Sequence, residues 1–432
     1  MKVLVCDDSE IRLKDVLAQI DAAHCKDLTV NYLVGGQLTT ELEKLFVHVR
    51  SCIDDPESYK PAADLAFDEA DIVLLDNNLA QLDVRGARLT AESIAGYIRA
   101  FTAVAYVVSL NKNPDVDFDL RYLVGDYSTR ADLALNTDHL SNLALWTHNA
   151  ADAKGGFLPW YWPKLADVAA RRRTQVEFVR DRLEKPMLSV LGFPQEEEAI
   201  GFLSLHARGS LSPEASFHED GDGGTPLEDV TFIQYFLAKD RSLPAGEERK
   251  VLADARNAKG GAIRDIIARI VASDLDLWFR RDVLGPQEVL VDLPHLLLRY
   301  PFLLGKRASN VDEWNKAVAL QAEPYGIERK LYDEHLSKAR FMHDVWVSSA
   351  CFWWPNLKAD EKLNEHFFES TGTVADVVFC EDTSLFVARP NDDRGDGGAA
   401  EFAAEFEGSW GRRFVQKLDG VMYSPRMRFA AF

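Results

Sequence analysis

The amino-terminal third of the chain predicts an α/β fold with a doubly wound parallel sheet. Three observations carry that expectation. Strand-like and helix-like stretches alternate five times before residue 150. The stretches DIVLLD (71–76) and VAYVVSL (104–110) are apolar almost throughout, which marks strands covered on both faces. The intervening stretches repeat their apolar residues every three or four positions, the period of a helix with one buried face.

The elements follow in order. Residues 2–6 read as a short buried strand. Ser9 suits the cap of a helix whose Leu13, Val16, Leu17 and Ile20 form an apolar stripe. LTVNYL (28–33) is the second strand, and Gly35 and Gly36 lead into a helix over 39–52 with Leu42, Leu45, Phe46 and Val49 inward. Residues 53–69, rich in acid and alanine, read as an irregular insertion. The third strand is 71–76. A helix over 89–101 carries Ile94, Ile98 and Phe101 on one side, and the fourth strand is 104–110. A less regular segment, 111–130, precedes a weak fifth strand, ADLAL (131–135). Thr137 or Asp138 then caps a last helix over 138–149. In such sheets ligands bind at the carboxyl ends of the strands. Asp7, Asp8, Asp76 and Ser109 all fall at that edge.

The chain has 432 residues, enough for two to three domains, and a formal net charge of −20. That charge argues against nucleic-acid binding through a basic surface and against docking on anionic lipid. No stretch approaches the ~20 apolar residues of a membrane span. MKVLVCDD does not read as a signal peptide, because its apolar run is short and ends in acid. Cys6, Cys25, Cys52, Cys351 and Cys380 are scattered without a CxxC pair, which fits free thiols in the cytoplasm.

After residue 150 the character changes. The organisation expected is an α/β domain over 1–149, a junction and linker helix over 150–190, and a separate mixed α+β region over 191–432. GGFLPWYWP (155–163) is the junction. The helix, roughly 163–184, has Leu165, Val168, Ala169, Val176, Val179 and Leu183 on one side, and Arg171, Arg172 and Arg173 mostly on a solvated face. GDGGTP (221–226) and NDDRGDGG (391–398) read as loops or linkers. Residues 284–305 and 345–355 are heavily apolar, and the last strands are expected at 374–380 and 384–388.

The chemistry concentrates at VLVCDDSE (3–10). Two adjacent carboxylates end an apolar strand, and like charges at that distance raise each other's pKa unless something positive lies between them. Mg²⁺, a hard cation that takes carboxylate and carbonyl oxygens, is the natural partner for Asp7, Asp8 and Asp76. An aspartate beside it can accept a phosphoryl group covalently.

These pieces resemble the receiver domain of two-component response regulators, a flavodoxin-like (βα)5 fold. The matching residues are VLVCDDSE with its acidic pair, DIVLLDNNL, and VVSL. The resemblance covers about the first 149 residues. It implies that Asp76 accepts phosphate from a sensor histidine kinase, and that Asp7 and Asp8 hold Mg²⁺ with the backbone carbonyl of Asn78. It implies too that Ser109 moves to meet the phosphoryl group. Gly86 fits the glycine after the acceptor loop. The family's lysine at the end of strand five is missing. Asn136 stands there in ALNTDH, and Lys112 is the nearest substitute. The signal would pass to a downstream effector by protein–protein contact. One variant is a receiver that drains phosphate in a defence-type two-component system. A pseudo-receiver scaffold and a receiver-regulated enzyme are the alternatives, and a generic flavodoxin-like domain is the plainest one.

The second half shows no Walker A loop, GxSxG, HExxH or basic helix-turn-helix. His335, His343 and His366 match no metal spacing. Asp292 and His295 read as a capped, packed polar interruption. Glu381 and Asp382 could serve a nuclease, but no lysine follows them. Phe352, Trp353, Trp354 and Pro355 read as core.

Overall fold

Five parallel strands run in the order β2-β1-β3-β4-β5: β1 (Lys2–Asp7), β2 (Thr29–Val34), β3 (Ile72–Asp76), β4 (Tyr106–Asn111) and β5 (Leu133–Asn136). The computed structural model describes residues 1–56, 59–60, 64–79, 82–84, 87–88, 91–111, 130–146, 164–193, 229–238, 261–279, 283–284, 287–318, 324–347, 350–369, 375, 377–380, 385–388, 401–402, 412–413, 415–418 and 421–422. This is the expected doubly wound sheet. Every residue of β3 from Ile72 to Leu75 is buried, as are Tyr106–Leu110 of β4, which is why those stretches lack polar alternation. β2 is the edge strand, and its Thr29, Asn31 and Tyr32 face solvent.

The crossovers set the helices. Starting at β1, the chain first moves outward to β2, then returns over β1 to β3 and onward to β4. Right-handed crossovers therefore put the first helix on one face and the next two on the other. Helix α1 (Glu10–Ala22) buries Leu13, Val16 and Ile20. Ser9 precedes it in extended conformation, but its side chain makes no capping hydrogen bond. Helix α2 (Gly36–Asp54) buries Leu38, Leu42, Leu45 and Val49 and packs on α3 (Ala91–Phe101). A hairpin of two-residue strands, Asp83–Val84 and Ala87–Arg88, lies between β3 and α3. In place of a continuous last helix, a 3₁₀ turn (Thr137–Ser141) packs against α1 and is followed by the short helix Leu143–Trp146. Asn142, extended between them, breaks the run.

The first compact unit comprises Met1–Lys185 with Val230–Leu275, so it takes in α4 (Leu165–Arg180) and most of α5 (Gly261–Trp278). Arg172 corrects the expectation of a solvated arginine face. It lies on the same stripe as Leu165, Ala169, Gln175 and Val179 and is 4% exposed. It donates to Asp132 at 2.9 Å and Gln175 at 3.0 Å, and bonds the Ser273 hydroxyl of α5. Arg173 pairs with Asp71. Asp71 and Asp132 immediately precede β3 and β5. Helix α4 is thus fastened to the amino edge of the sheet, away from the carboxyl edge.

The second unit comprises Pro186–Asp229 with Asp276–Phe432. Among the described residues it is a mixture of short helices and small sheets. The strands β6 (Leu290–Asp292), β7 (Arg340–Phe341) and β8 (Cys351–Trp353) form an antiparallel sheet in the order β6-β8-β7. Beside it Phe193, Trp278, Phe279, Phe341, Trp346 and Trp353 pack ring against ring. Phe352 is fully buried, Trp353 and Pro355 are buried and Trp354 is half-buried, so the 352–355 stretch packs mostly as core, as expected. Strands at Val377–Cys380 and Leu385–Ala388 pair antiparallel, close to their expected positions. The stretches 155–163, 221–226 and 391–398 lie outside the described residues. No helix among the described residues is long and apolar enough to cross a membrane.

Candidate functional site

Register brings the acidic residues together. Cys6 of β1 lies opposite Leu75 of β3, so Asp7 and Asp76 end adjacent strands at the same level. Carboxylate oxygens of Asp7, Asp8 and Asp76 all lie within 4.8 Å of one another. Asp7 is 1% exposed and Asp8 9%, while Asp76 opens partly to solvent. The crowding is felt electrostatically. Burial and the charge of Asp7 push Asp76 up to about 6, against the pull of Arg12 and the Asn78 backbone N–H. Burial also raises Asp7, opposed by the Ser9 N–H at 2.8 Å and by Arg12.

The positive partner is a side chain. Arg12, in the first turn of α1, stands four residues after Asp8, which lies just ahead of the helix. Its Nε donates to Asp7 at 3.3 Å. Its Nη2 bonds Asp8, approaches Asp76 Oδ2 at 3.2 Å, and donates to the backbone carbonyl of Asn78 at 3.1 Å. Burial would lower the pKa of Arg12, but the charges of Asp76, Asp7 and Asp8 raise it overall. Sequence reasoning identified the acid pair and missed this arginine, although a cation in the first turn after an acidic strand end was there to be read.

Ser109 sits on β4 opposite Leu75, one residue before the Asp76–Leu110 pair. Its hydroxyl lies 3.5 Å from the side-chain oxygen of Asn77, the limit of a hydrogen bond. Asn136 ends β5 opposite Asn111 and is fully buried. Its Oδ1 accepts from the Asp138 N–H at 3.2 Å, capping the 3₁₀ turn, and its Nδ2 has no hydrogen-bond partner among the described residues. Gly35, at φ +51°, follows β2 and donates its N–H to the Asp7 carbonyl at 3.2 Å, joining the β2 turn to the site. Lys112 and Gly86 lie outside the described residues, as do Glu381 and Asp382.

The donor set suits a hard divalent cation. Three carboxylates and one carbonyl converge, all oxygen, the ligands that Mg²⁺ prefers. Among the described residues, buried Asp76 Oδ2 accepts no hydrogen bond and is met by the charge of Arg12. Asp7, Asp8, Asp76 and the Asn78 carbonyl would hold such an ion.

In the second unit, Asp292 caps the helix Leu293–Arg299. It accepts the His295 N–H at 3.1 Å and meets the His295 ring at 2.5 Å. His335 is buried against Asp360 at 2.7 Å, with the His366 ring 6.0 Å away. Among the described residues, the aspartates at the sheet edge are the one group of acids, histidines or cysteines arranged to hold a metal ion.

No protein-family model matches the chain, and no curated protein or solved structure matches it either.

Proposed function

We propose that the first unit is a receiver-like regulatory domain in which Asp76 accepts a phosphoryl group from a sensor histidine kinase in the presence of Mg²⁺. The observation that carries this reading is the convergence of Asp7, Asp8 and Asp76 at the carboxyl edge of a β2-β1-β3-β4-β5 sheet. A carboxylate oxygen of Asp76 attacks phosphorus. The new O–P bond forms as the donor's P–N bond breaks, and that electron pair leaves with the imidazole nitrogen. A bound Mg²⁺ would offset negative charge on the phosphoryl oxygens. The product adds about −1.5 to −2 charge and three acceptor oxygens, which the Ser109 hydroxyl would move to meet. The signal would then pass to an effector protein by contact.

A second reading, a pseudo-receiver that never takes phosphate, is favoured by Arg12 standing among the carboxylates and by Asn136 where a lysine would anchor the phosphoryl group. The experiment is phosphoryl transfer to the full chain from acetyl phosphate with Mg²⁺, and from a panel of autophosphorylated kinases, with Asp76→Asn alongside. Label on the wild type and none on the variant supports the receiver. Absence of label from every donor supports the pseudo-receiver.

A further inference from the structure

Arg12 touches all four groups that a divalent ion at this edge would use. One guanidinium spans Asp7 at 3.3 Å, Asp76 at 3.2 Å and the Asn78 carbonyl at 3.1 Å, and bonds Asp8 as well. Arginine suits such a place. It is charged at any ordinary pH, weakly hydrated, and carries a rigid fork of donors that fits carboxylates. It also has a way out: its side chain is 35% exposed and sits in the first turn of α1, so exchange requires these contacts to break and the side chain to turn toward solvent. Both cations cannot be present together. Mg²⁺ requires oxygens at about 2.0–2.1 Å, and its position would fall within the volume held by the Arg12 head.

We propose that Arg12 is the resident cation of this site and that a divalent ion enters only by displacing it. The proposal rests on the reading of the cluster as a Mg²⁺ site. It goes beyond that reading by naming a competitor built into the chain. Arg12 brings one positive charge to three carboxylates, whereas Mg²⁺ brings two. The acidic edge therefore stays partly neutralised without metal, and the apparent affinity for metal falls by the fraction of molecules in which Arg12 is in place. Metal loading becomes a two-state exchange, with the first turn of α1 reporting which cation is present.

The test uses the full chain with no phosphodonor. Mg²⁺ binding is measured by calorimetry, Mn²⁺ binding by electron paramagnetic resonance, and thermal unfolding with and without Mg²⁺, for the wild type, Arg12→Ala and Arg12→Gln. Competition requires that both variants bind metal at least ten-fold more tightly than the wild type. It requires also that they melt below it in chelator and gain more from Mg²⁺ than it does. Arg12→Gln keeps most of the volume and some hydrogen bonding, so it serves if the alanine variant fails to fold. Asp76→Asn added to either variant should weaken the metal response. Equal or weaker metal affinity in the arginine variants overturns the proposal, as does absence of metal binding in all three proteins. Tight metal binding by the arginine variants, with no label on Asp76 in the separate phosphoryl-transfer assay, would overturn the phospho-acceptor reading and leave the competition intact.

Discussion

Arg172 of α4 donates to Asp132 at the amino end of β5 over 2.9 Å, and both side chains are buried, at 5% and 3% exposure. Asp132 also accepts the Val107 N–H of β4 at 2.9 Å and the Ser273 hydroxyl of α5 at 3.2 Å. One carboxylate thus ties two strands and two helices together. Removing one member of a buried pair costs about 3–5 kcal/mol where the other charge is left uncompensated, but Arg99 at 3.9 Å leaves Asp132 part of its compensation. Arg172→Ala should lower unfolding free energy by somewhat less than that, about 2–3 kcal/mol, in urea titrations. Arg173→Ala, one residue on, breaks a pair in which Arg173 is half exposed, and should cost at most ~1 kcal/mol. Equal losses for the two would show that burial does not decide the matter.

Under the proposed function, the same clamp bears on how a signal would leave the domain. A change at Asp76 arises at the carboxyl edge, while α4 is fastened at the amino edge through Asp71 and Asp132. The linker helix looks from sequence like the direct route out of the domain. Its arginines instead anchor it to the end of the sheet away from the candidate site. Any message carried through α4 would have to cross the length of β3 to β5.

Acid should weaken the second unit through Asp360. Burial tends to raise this carboxyl, but the Leu363 N–H at 2.9 Å and the His335 ring at 2.7 Å hold it below the usual carboxylate range. A depressed folded pKa stabilises the fold above the unfolded value, near ~4, and that contribution is lost as pH falls through the lower folded value. Asp360→Asn should therefore cost about 1 kcal/mol at pH 7, and the difference from wild type should close as pH drops to about 3. Urea titrations of both proteins from pH 7 to 3 measure it. A gap that widens toward acid would contradict the assignment.

The sheet was legible because burial on both faces leaves a long apolar run, as in DIVLLD, and strand ends shifted by only one or two residues. The candidate site was legible as far as its acids, because charge at the end of an apolar strand is conspicuous. Arg12 was not legible as their partner, because a bound metal balances the acids equally well and Asp8 lies ahead of the helix that carries the arginine. Arg172 was missed for a different reason. Helical period places it on the buried face with Ala169, but charge argues for solvent, and its partner Asp132 lies 40 residues away in sequence. The hairpin at 83–88 offers only two residues per strand, too few for alternation to register. The joining of residues 230–275 to the first unit rests on long-range packing that no local pattern announces.

Gly305 should be intolerant of a side chain. It adopts φ +57°, ψ −132° inside the segment Pro301–Ser309, a conformation that residues with a Cβ rarely accept. A Cβ there would also lie 2.9 Å from the Glu328 carboxyl carbon. Gly305→Ala should cost about 1–3 kcal/mol. Gly36→Ala is the matched control. That glycine begins α2 with open space around it and no positive φ, so the change should be neutral or mildly stabilising. Thermal unfolding of the two variants separates the outcomes. A Gly305→Ala protein as stable as wild type would mean the backbone there relaxes freely.

Ser109 provides the sharpest separation of structural from signalling roles. Its hydroxyl is nearly buried, yet its contact with Asn77 at 3.5 Å is too long to contribute much. Ser109→Ala should therefore change stability by less than ~1 kcal/mol. Under the proposed function it should still take label on Asp76, because the attacking oxygen and its acidic neighbours are untouched. What it should lose is the change that follows labelling. In the wild type the new phosphoryl oxygens give the hydroxyl a better partner than Asn77 does, and β4 must adjust to reach them. Hydrogen exchange across Tyr106–Asn111, compared before and after labelling, measures this directly. Protection that rises in the wild type but not in Ser109→Ala assigns the response to the hydroxyl. An equal rise in both would show that the phosphoryl group is sensed elsewhere.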